Sequence, residues 1–351
     1  MVSLPHPFSE IPRIQLTYDR PVDIERLQRL PNQEGIKEGD IYIARDDCNS
    51  GLAFGGNKVR KLEYVLADAI DQVADTIVTT GGTQSNHMRQ TAAAAAKLGL
   101  KLSRGLTDRK VALFPVTAVP SDDAEYKYAG NIQLNSILGA ETFPPNTSQD
   151  DVVSALKSRG QKPYVIPAGA STHPLGGLGY ARWAFELLEW EDEHKKSISN
   201  IVVAVGSGST LGGLVAGFKL AQQLGRDGSR KRLVGYSILK KPEDDLAGLV
   251  LDIARTAAKK IGLDPASITR EDFEIDYDYL GGSYGHLDER TAEGIKALAR
   301  TEGILTDPVY TGKAFTGLLH TAKAGGFDGK ATLFLHTGGQ AALSAYPKLT
   351  E

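Results

Sequence analysis

The most constraining feature of this sequence is a recurring unit in which a short apolar segment meets a glycine-rich turn and then a helical pattern. The clearest case is residues 201–205, Ile-Val-Val-Ala-Val, which lead through Gly206 into a helical pattern over residues 211–224. Continuously apolar strands are typical of parallel sheets that helices cover on both faces. Further strands are predicted at residues 76–80, 164–166, 233–238 and 332–335, and a helix at residues 86–98. The sequence therefore predicts an α/β fold.

Length and charge narrow the class of protein. The 351 residues leave room for two domains. With 40 basic and 43 acidic residues the net charge is −3, so no field of one sign would attract nucleic acid or an anionic membrane. The single cysteine, Cys48, excludes an internal disulfide and fits a reducing compartment, which predicts a cytoplasmic location. The first residues lack the pattern of a signal peptide, and no apolar run approaches the ~20 residues of a membrane span.

Lys58 is the first candidate catalytic residue, because it lies where the turn Gly55-Gly56 leads into a helical pattern. The positive end of a helix and nearby cations disfavour an ammonium group and so lower the pKa of a lysine. A neutral lysine amine is what Schiff-base chemistry requires. The structural alternative is an ordinary surface lysine at the start of a helix. The spacing does not match a Walker phosphate loop.

Two further turns have the composition of anion sites. Residues 80–87, Thr-Gly-Gly-Thr-Gln-Ser-Asn-His, join a strand to a helix, and the backbone amides and polar side chains there suit a carboxylate. A simple helix cap would use the same residue types. Residues 206–210, Gly-Ser-Gly-Ser-Thr, suit a phosphate, and Leu211 replaces the third glycine of a dinucleotide site, which favours a single phosphate. His87 has no second ligand at a metal-binding spacing, so no metal site is predicted.

A Schiff-base lysine, a carboxylate site and a single-phosphate loop together suit pyridoxal 5′-phosphate acting on an amino acid. The motifs Gly-Gly-Asn-Lys-x-Arg-Lys-Leu-Glu-Tyr, Gln-Ser-Asn, Gly-Ser-Gly-Ser-Thr, Asp-Pro-Val-Tyr-Thr-Gly-Lys and His-Thr-Gly-Gly, in this order, closely resemble the 1-aminocyclopropane-1-carboxylate (ACC) deaminase / D-cysteine desulfhydrase family. The resemblance extends from about residue 10 to residue 346. It implies a fold type II enzyme, similar to the β-subunit of tryptophan synthase, that forms a homodimer.

The resemblance also implies a domain division and a set of site residues. Residues 1–64 and 176–351 would form a large domain that binds the cofactor phosphate, and residues 65–175 a small domain that closes over the cofactor, each with a mostly parallel sheet covered by helices. The cofactor would be held by Lys58 as a Schiff base, by Lys61, by Asn86 at its 3′-oxygen, and by Gly206, Ser207, Gly208, Ser209, Thr210, Thr311 and Thr337. The substrate would meet Gln84, Ser85, His87, Tyr284 and Tyr310; Lys58, Ser85 and the two tyrosines would be catalytic.

Two positions separate the two activities of the family. The deaminases share the motifs Tyr-Glu-Gly-Lys and His-Leu-Gly-Gly. This chain has Thr311 in place of the glutamate and Thr337 in place of the leucine, which is the desulfhydrase pattern. Opening a cyclopropane ring needs a strong electron sink, which a carboxylate beside the pyridine nitrogen would maintain. Elimination of sulfide from D-cysteine is easier, and a neutral hydroxyl from Thr337 is enough. The sequence therefore predicts a D-cysteine desulfhydrase that releases pyruvate, ammonia and sulfide.

Three alternatives stay open. The first is an ACC deaminase, which would give 2-oxobutanoate and ammonia. The second is another amino-acid lyase or racemase that uses the same cofactor. The third is a protein that binds the cofactor without catalysis, because residues 101–123 depart from the family pattern and contribute to the predicted small domain.

Overall fold

The computed structural model describes residues 2–20, 22–36, 39–99, 111–116, 124–144, 147–226 and 230–350. Ten strands and ten α-helices lie within these ranges, joined by short 3₁₀ turns. The strands are β1 Ile24–Arg26, β2 Ile41–Ala44, β3 Thr76–Gly82, β4 Val111–Val116, β5 Glu141–Thr142, β6 Pro163–Ile166, β7 Asn200–Val205, β8 Arg232–Ser237, β9 Glu274–Asp276 and β10 Thr332–Leu335. The helices are α1 Leu30–Glu34, α2 Asn57–Asp71, α3 Asn86–Leu98, α4 Asn131–Ile137, α5 Gln149–Ser158, α6 Leu178–His194, α7 Ser209–Gln223, α8 Leu246–Lys260, α9 Glu289–Glu302 and α10 Thr311–Lys323.

The larger sheet has six strands in the order β1-β2-β10-β7-β8-β9, all parallel except β1. Side chains alternate across β7: Ile201 and Val203 pack with α6, α7 and α8, whereas Val202 and Ala204 pack with α9 and α10. Helices therefore cover both faces, which is why the strands are apolar throughout and why the sequence predicts them so clearly.

The smaller sheet has four parallel strands in the order β5-β4-β3-β6. Ile77 of β3 packs against α2 and α3, and its neighbour Val78 packs against α5 on the opposite face. The predicted α/β architecture with two mostly parallel sheets is thus confirmed. All four strands lie within residues 65–175, but the predicted domain limit at residue 64 falls inside α2, and the division itself stays a prediction. No helix in the described ranges is both long enough and apolar enough to cross a membrane.

The segment that departs from the family pattern is described in part. Residues 101–110 and 117–123 lie outside the described ranges, and residues 111–116 form β4. Pro115 lies in this strand opposite Gly81 of β3. On the other side β5 pairs only with Ala112 and Leu113, so no strand there requires an N–H at position 115. The short neighbouring strand β5 therefore accommodates Pro115 within β4.

Two glycine doublets bring helices into close contact. A Cβ atom on Gly213 of α7 would lie 2.2 Å from the carbonyl oxygen of Gly177, which precedes α6. A Cβ atom on Gly212 would lie 3.1 Å from the carbonyl oxygen of Val250 in α8. The backbone of α7 therefore packs directly against both neighbouring helices. This contact fixes the N-terminus of α7, where the predicted phosphate loop lies, and it gives Gly177 a packing role.

We expect Gly213→Val to lower the free energy of unfolding by about 3 kcal/mol, because the new side chain would force α7 away from α6. Urea titration followed by circular dichroism measures this change. Gln223→Ala, an exposed substitution in the last turn of the same helix, is the matched control and should change stability little. Equal stability of the two variants would contradict the packing role.

Candidate active site

A cavity of about 260 Å³ lies at the carboxyl ends of β3, β7 and β10. Its wall is formed mainly by the start of α2, the turn between β3 and α3, and the loop between β7 and α7. The predicted site residues in this wall are Lys58, Lys61, Ser85, Asn86, His87, Gly206, Ser207, Gly208, Thr210, Tyr284, Tyr310 and Thr337. Gln84, Ser209 and Thr311 are outside the wall, although each contacts residues that support it.

The position of Lys58 is set by the turn before α2. Gly55 and Gly56 have φ values of 65° and 121°, and a Cβ atom on Gly56 would lie 2.7 Å from Nε2 of Gln90. Glycine is therefore required for the turn by both its conformation and its surroundings. Burial of the Lys58 amine lowers its pKa from 10.5 to about 8. A substantial fraction of this amine is neutral near physiological pH, as Schiff-base chemistry needs.

Lys61 faces the predicted phosphate loop one turn further along α2. Its Nζ donates a hydrogen bond to Oγ of Ser209 at 2.7 Å, at the N-terminus of α7. Burial, and secondarily the charge of Lys58, hold the pKa of Lys61 well below its usual value. The hydroxyl of Thr210, in the same loop, accepts a hydrogen bond from Nδ2 of Asn57 at 3.1 Å. A buried amine, hydroxyl groups and a helix N-terminus together form a donor set that fits one phosphate group.

Hydrogen bonds that run from Arg89 through Asn131 orient Asn86. Nε of Arg89 donates to Oδ1 of Asn131 at 2.7 Å. Nδ2 of Asn131 is therefore the group that faces Asn86, and it donates to Oδ1 of Asn86 at 2.9 Å. Because Oδ1 of Asn86 accepts this hydrogen bond, the NH₂ group of Asn86 remains as the donor to a ligand in the cavity. That donor suits the 3′-oxygen of pyridoxal 5′-phosphate, as the family resemblance implies.

Ser85 and Gln84 lie side by side but face different surroundings. Oγ of Ser85 accepts a hydrogen bond from the backbone N–H of Met88 at 3.3 Å and caps α3. Nε2 of Gln84 donates to the carbonyl oxygens of Tyr126 and Ala129, both at 2.9 Å. The Gln84 side chain therefore holds the chain before α4 in place, while Ser85 borders the cavity.

Tyr284 and Tyr310 both line the cavity, and their hydroxyl groups are hydrogen-bonded to each other. Burial raises the pKa of both phenols, so both stay neutral. Nζ of Lys313 donates to the carbonyl oxygens of Leu280 and Ser283, at 2.7 and 2.8 Å, and so holds the loop that carries Tyr284. Lys313 is a positioning residue in the predicted motif Asp-Pro-Val-Tyr-Thr-Gly-Lys.

The two threonines that separate the family's activities have different surroundings. Thr337 is in the cavity wall, whereas Thr311 is fully buried behind it. The hydroxyl of Thr311 donates to Oδ1 of Asp307 at 2.7 Å and lies 3.2 Å from the carbonyl oxygen of Gly338. The carboxylate of Asp307 also accepts backbone N–H groups of residues 309, 310 and 311, at 2.9, 3.0 and 2.9 Å. A negative charge therefore lies directly behind Thr311.

Several supporting residues have no role predicted from the sequence: Arg89, Asn131 and Ser171, together with Asp307 and Lys313, which belong to the predicted motif Asp-Pro-Val-Tyr-Thr-Gly-Lys. Ser171 hydrogen-bonds to Ser207 and lies 3.1 Å from Oγ of Ser209. The position of Ser171 just after β6 could have predicted its role, because ligands bind at the carboxyl ends of parallel strands. Arg89 lies inside a predicted helix and Asn131 is the first residue of α4, and neither has a comparable signal.

We expect Lys58 to combine with pyridoxal 5′-phosphate with a midpoint near pH 8 rather than near the 10.5 of an ordinary lysine, because only the neutral amine reacts. The amine is protonated below this pH and gains reactivity as the pH rises through it. The measurement is the rate at which visible absorbance appears when the cofactor-free protein is mixed with the cofactor at several pH values. Lys58→Ala is the control without signal, and a midpoint near 10.5 would contradict the effect of burial.

Comparison with known proteins agrees with this site. The profile of pyridoxal-phosphate dependent enzymes matches residues 17–338. A Methylobacterium nodulans protein named 1-aminocyclopropane-1-carboxylate deaminase is 40% identical over 343 residues, which cover 95% of this chain and 96% of that protein. A Mesorhizobium japonicum protein of the same name is 41% identical over 332 residues, which cover 92% and 93%.

Solved structures show the same architecture. The crystal structure of an ACC deaminase homologue is 34% identical, has a TM-score of 0.79 and covers 98% of this chain and 97% of its own. A hydrogen sulfide-producing enzyme of Fusobacterium nucleatum is 17% identical, has a TM-score of 0.58, covers 96% and 97%, and shows the fold alone. The predicted fold type II architecture and pyridoxal 5′-phosphate as cofactor are confirmed. The chain belongs to the family of pyridoxal-phosphate dependent enzymes, and within it to the relatives of ACC deaminase.

Proposed function

We propose that this enzyme is a deaminating lyase of a small amino acid, with 1-aminocyclopropane-1-carboxylate as the first candidate substrate. The observation that carries the proposal is the 40–41% identity, over almost the whole chain, to proteins named ACC deaminase. This substrate ranks above D-cysteine, which the Thr311 and Thr337 pattern alone favoured. A cytoplasmic homodimer is the remaining part of the proposal.

The side chains of the cavity have distinct roles in this function. Pyridoxal 5′-phosphate supplies an electron sink at the α-carbon of the substrate when it is bound. Lys61 and the loop before α7 hold its phosphate, and Asn86 donates to its 3′-oxygen. The hydroxyl of Ser85 orients the substrate carboxylate. Lys58, with a pKa of about 8, accepts and returns protons at the substrate carbons.

Asp307 supports the first candidate substrate. Ring opening needs negative charge near the pyridine nitrogen, and this chain has Thr311 where the deaminases have glutamate. The hydroxyl of Thr311 donates to the carboxylate of Asp307 at 2.7 Å and accepts the backbone N–H of the same residue at 3.1 Å, so an acidic side chain lies one hydrogen bond behind position 311. A neutral residue at position 311 is therefore compatible with an anionic environment one hydrogen bond further away.

D-cysteine is the second candidate substrate, and Thr337 is the observation that favours it. Thr337 borders the cavity, at the position where the deaminases share a leucine. A polar group there suits a substrate or cofactor atom that exchanges hydrogen bonds, whereas an aliphatic ring gains nothing from it. With D-cysteine, Lys58 would remove the proton from the α-carbon and the thiol would leave as sulfide.

Product analysis with the purified, cofactor-loaded enzyme separates the candidates. We expect 2-oxobutanoate and ammonia from 1-aminocyclopropane-1-carboxylate, measured by chromatography. Pyruvate and sulfide from D-cysteine, in the absence of 2-oxobutanoate from the ring compound, would replace the first candidate with the second. No product from either, nor from L-cysteine, D-serine or chloro-D-alanine, would contradict the proposed lyase.

Replacing the hydroxyl of Thr337 should affect the two substrates differently. We expect Thr337→Val to lower kcat/KM for D-cysteine about tenfold, the effect of one lost hydrogen bond, and to leave turnover of the ring compound unchanged or higher. Thr337→Ser, which keeps the hydroxyl, is the matched control. An equal loss with both substrates would show that Thr337 serves the cofactor rather than the choice of substrate.

A further inference from the structure

Hydrogen bonds fix the orientation of the two amides that lie between Arg89 and the cavity. Nδ2 of Asn131 donates to the backbone carbonyl oxygen of Gln84 at 2.9 Å, and a carbonyl only accepts. The same nitrogen therefore faces Asn86 as a donor, and Nη2 of Arg89, a second donor, lies 3.5 Å from the same atom of Asn86. An amide atom that faces two donors is the oxygen. The NH₂ group of Asn86, in the cavity wall, is then the donor to a ligand.

Arg89 carries a buried charge that no acidic side chain contacts. The residue is 1% exposed, and its guanidinium donates to Oδ1 of Asn131 and to the backbone carbonyl oxygens of Ala53 and Gly55. Within the described ranges no carboxylate is hydrogen-bonded to it, and Asp307 attracts it only from a distance. Burial lowers the pKa of Arg89 to about 10, so the group stays charged near neutral pH. A buried charge of this kind is costly unless a ligand compensates it.

The charge of Arg89 acts on the donor that Asn86 presents to the cavity. Positive charge beside Oδ1 of Asn86 draws electrons towards that oxygen and away from the NH₂ group, so the N–H becomes a stronger donor. Such a hydrogen bond gains most when the acceptor is negatively charged. The 3′-oxygen of pyridoxal 5′-phosphate, which the family resemblance assigns to Asn86, is a phenolic oxygen and can lose its proton. The site therefore favours the ligand in which this oxygen is an anion.

We propose that Arg89 is a positioning residue whose charge, acting through Asn131 and Asn86, holds the 3′-oxygen of the cofactor in its ionised form. The proton of the hydroxyl group goes to solvent. Arg89 lies behind Asn86 and outside the cavity wall, so it acts only through its neighbours. The inference concerns the cofactor rather than the amino acid. It therefore goes beyond the proposed function and is the same for either candidate substrate.

The test uses two ligands that differ only at the 3′-position. Pyridoxine 5′-phosphate and its 3-deoxy analogue lack the aldehyde, so neither reacts with Lys58, and calorimetry measures their dissociation constants from the cofactor-free protein. We expect the unmodified protein to bind the hydroxyl ligand about thirtyfold more tightly, as for a bond to a charged group. Arg89→Leu should reduce this preference to about threefold, the effect of a neutral hydrogen bond. Arg89→Lys, which keeps the charge, should retain much of it.

Two further variants complete the design. Lys97→Leu removes an exposed charge from the last turn of the same helix and is the matched control, with an unchanged preference. Asn131→Asp serves in case leucine at position 89 disturbs folding. Its carboxylate pairs with Arg89 and cannot donate to Asn86, so the preference for the hydroxyl ligand should fall although the side chain keeps its shape.

Three results would overturn the role of Arg89. The first is an equal loss of affinity for both ligands in Arg89→Leu, which would show that Arg89 only supports the turn before α2. The second is an unchanged preference in Asn131→Asp, and the third is the absence of a preference in the unmodified protein. Product analysis with amino acids tests the proposed lyase separately, so a failure of one is distinguishable from a failure of the other.

Discussion

The structure depends on three buried basic side chains, none of which is hydrogen-bonded to a carboxylate of the described residues. Lys58 and Lys61 lie one turn apart on α2, and burial lowers the pKa of both. Arg89, behind them, is bonded to amide and carbonyl oxygens rather than to an acidic side chain. Such an arrangement is unfavourable until an anion arrives. The phosphate and the substrate carboxylate supply that negative charge, so the protein is built for occupants that are both anionic.

The backbone around this charge is held by close packing. Gly55 and Gly56 allow the turn that carries Lys58 to pass beside Gln90, and Gly213 lets α7 approach α6. The glycines thus set the distance between α2, which bears the lysines, and the N-terminus of α7, which bears the phosphate loop. The polar network of Arg89 and Asn131 then fixes the orientation of Asn86 within this frame.

Much of this could be predicted from the sequence, because the central features are local. The apolar strands β3, β7, β8 and β10, the helix α3 and the cofactor loops each have a continuous pattern. The strand β4 was obscured by Pro115, whose acceptance depends on how short its neighbour β5 is. The bond from Arg89 to Asn131 and the bonds from Lys313 to the loop that carries Tyr284 join segments that are far apart in the sequence. Neither leaves a pattern along the chain.

The turn before α2 also distinguishes substitutions that would move the reactive lysine from substitutions that would not. Ala53, Phe54, Gly55 and Gly56 all have positive φ, and the carbonyl oxygens of Ala53 and Gly55 are bonded to Arg89. The place of the reactive lysine is therefore set by the backbone of this turn, by its bonds to Arg89, and by the hydrogen bond that the backbone N–H of Asn57 donates to the carbonyl oxygen of Thr337 at 3.0 Å. The contact at position 337 uses only the backbone, so the side chain of Thr337 can be exchanged while Lys58 keeps its place. One scaffold can in this way diversify its chemistry in evolution by single steps, each of which starts from a folded, cofactor-loaded ancestor.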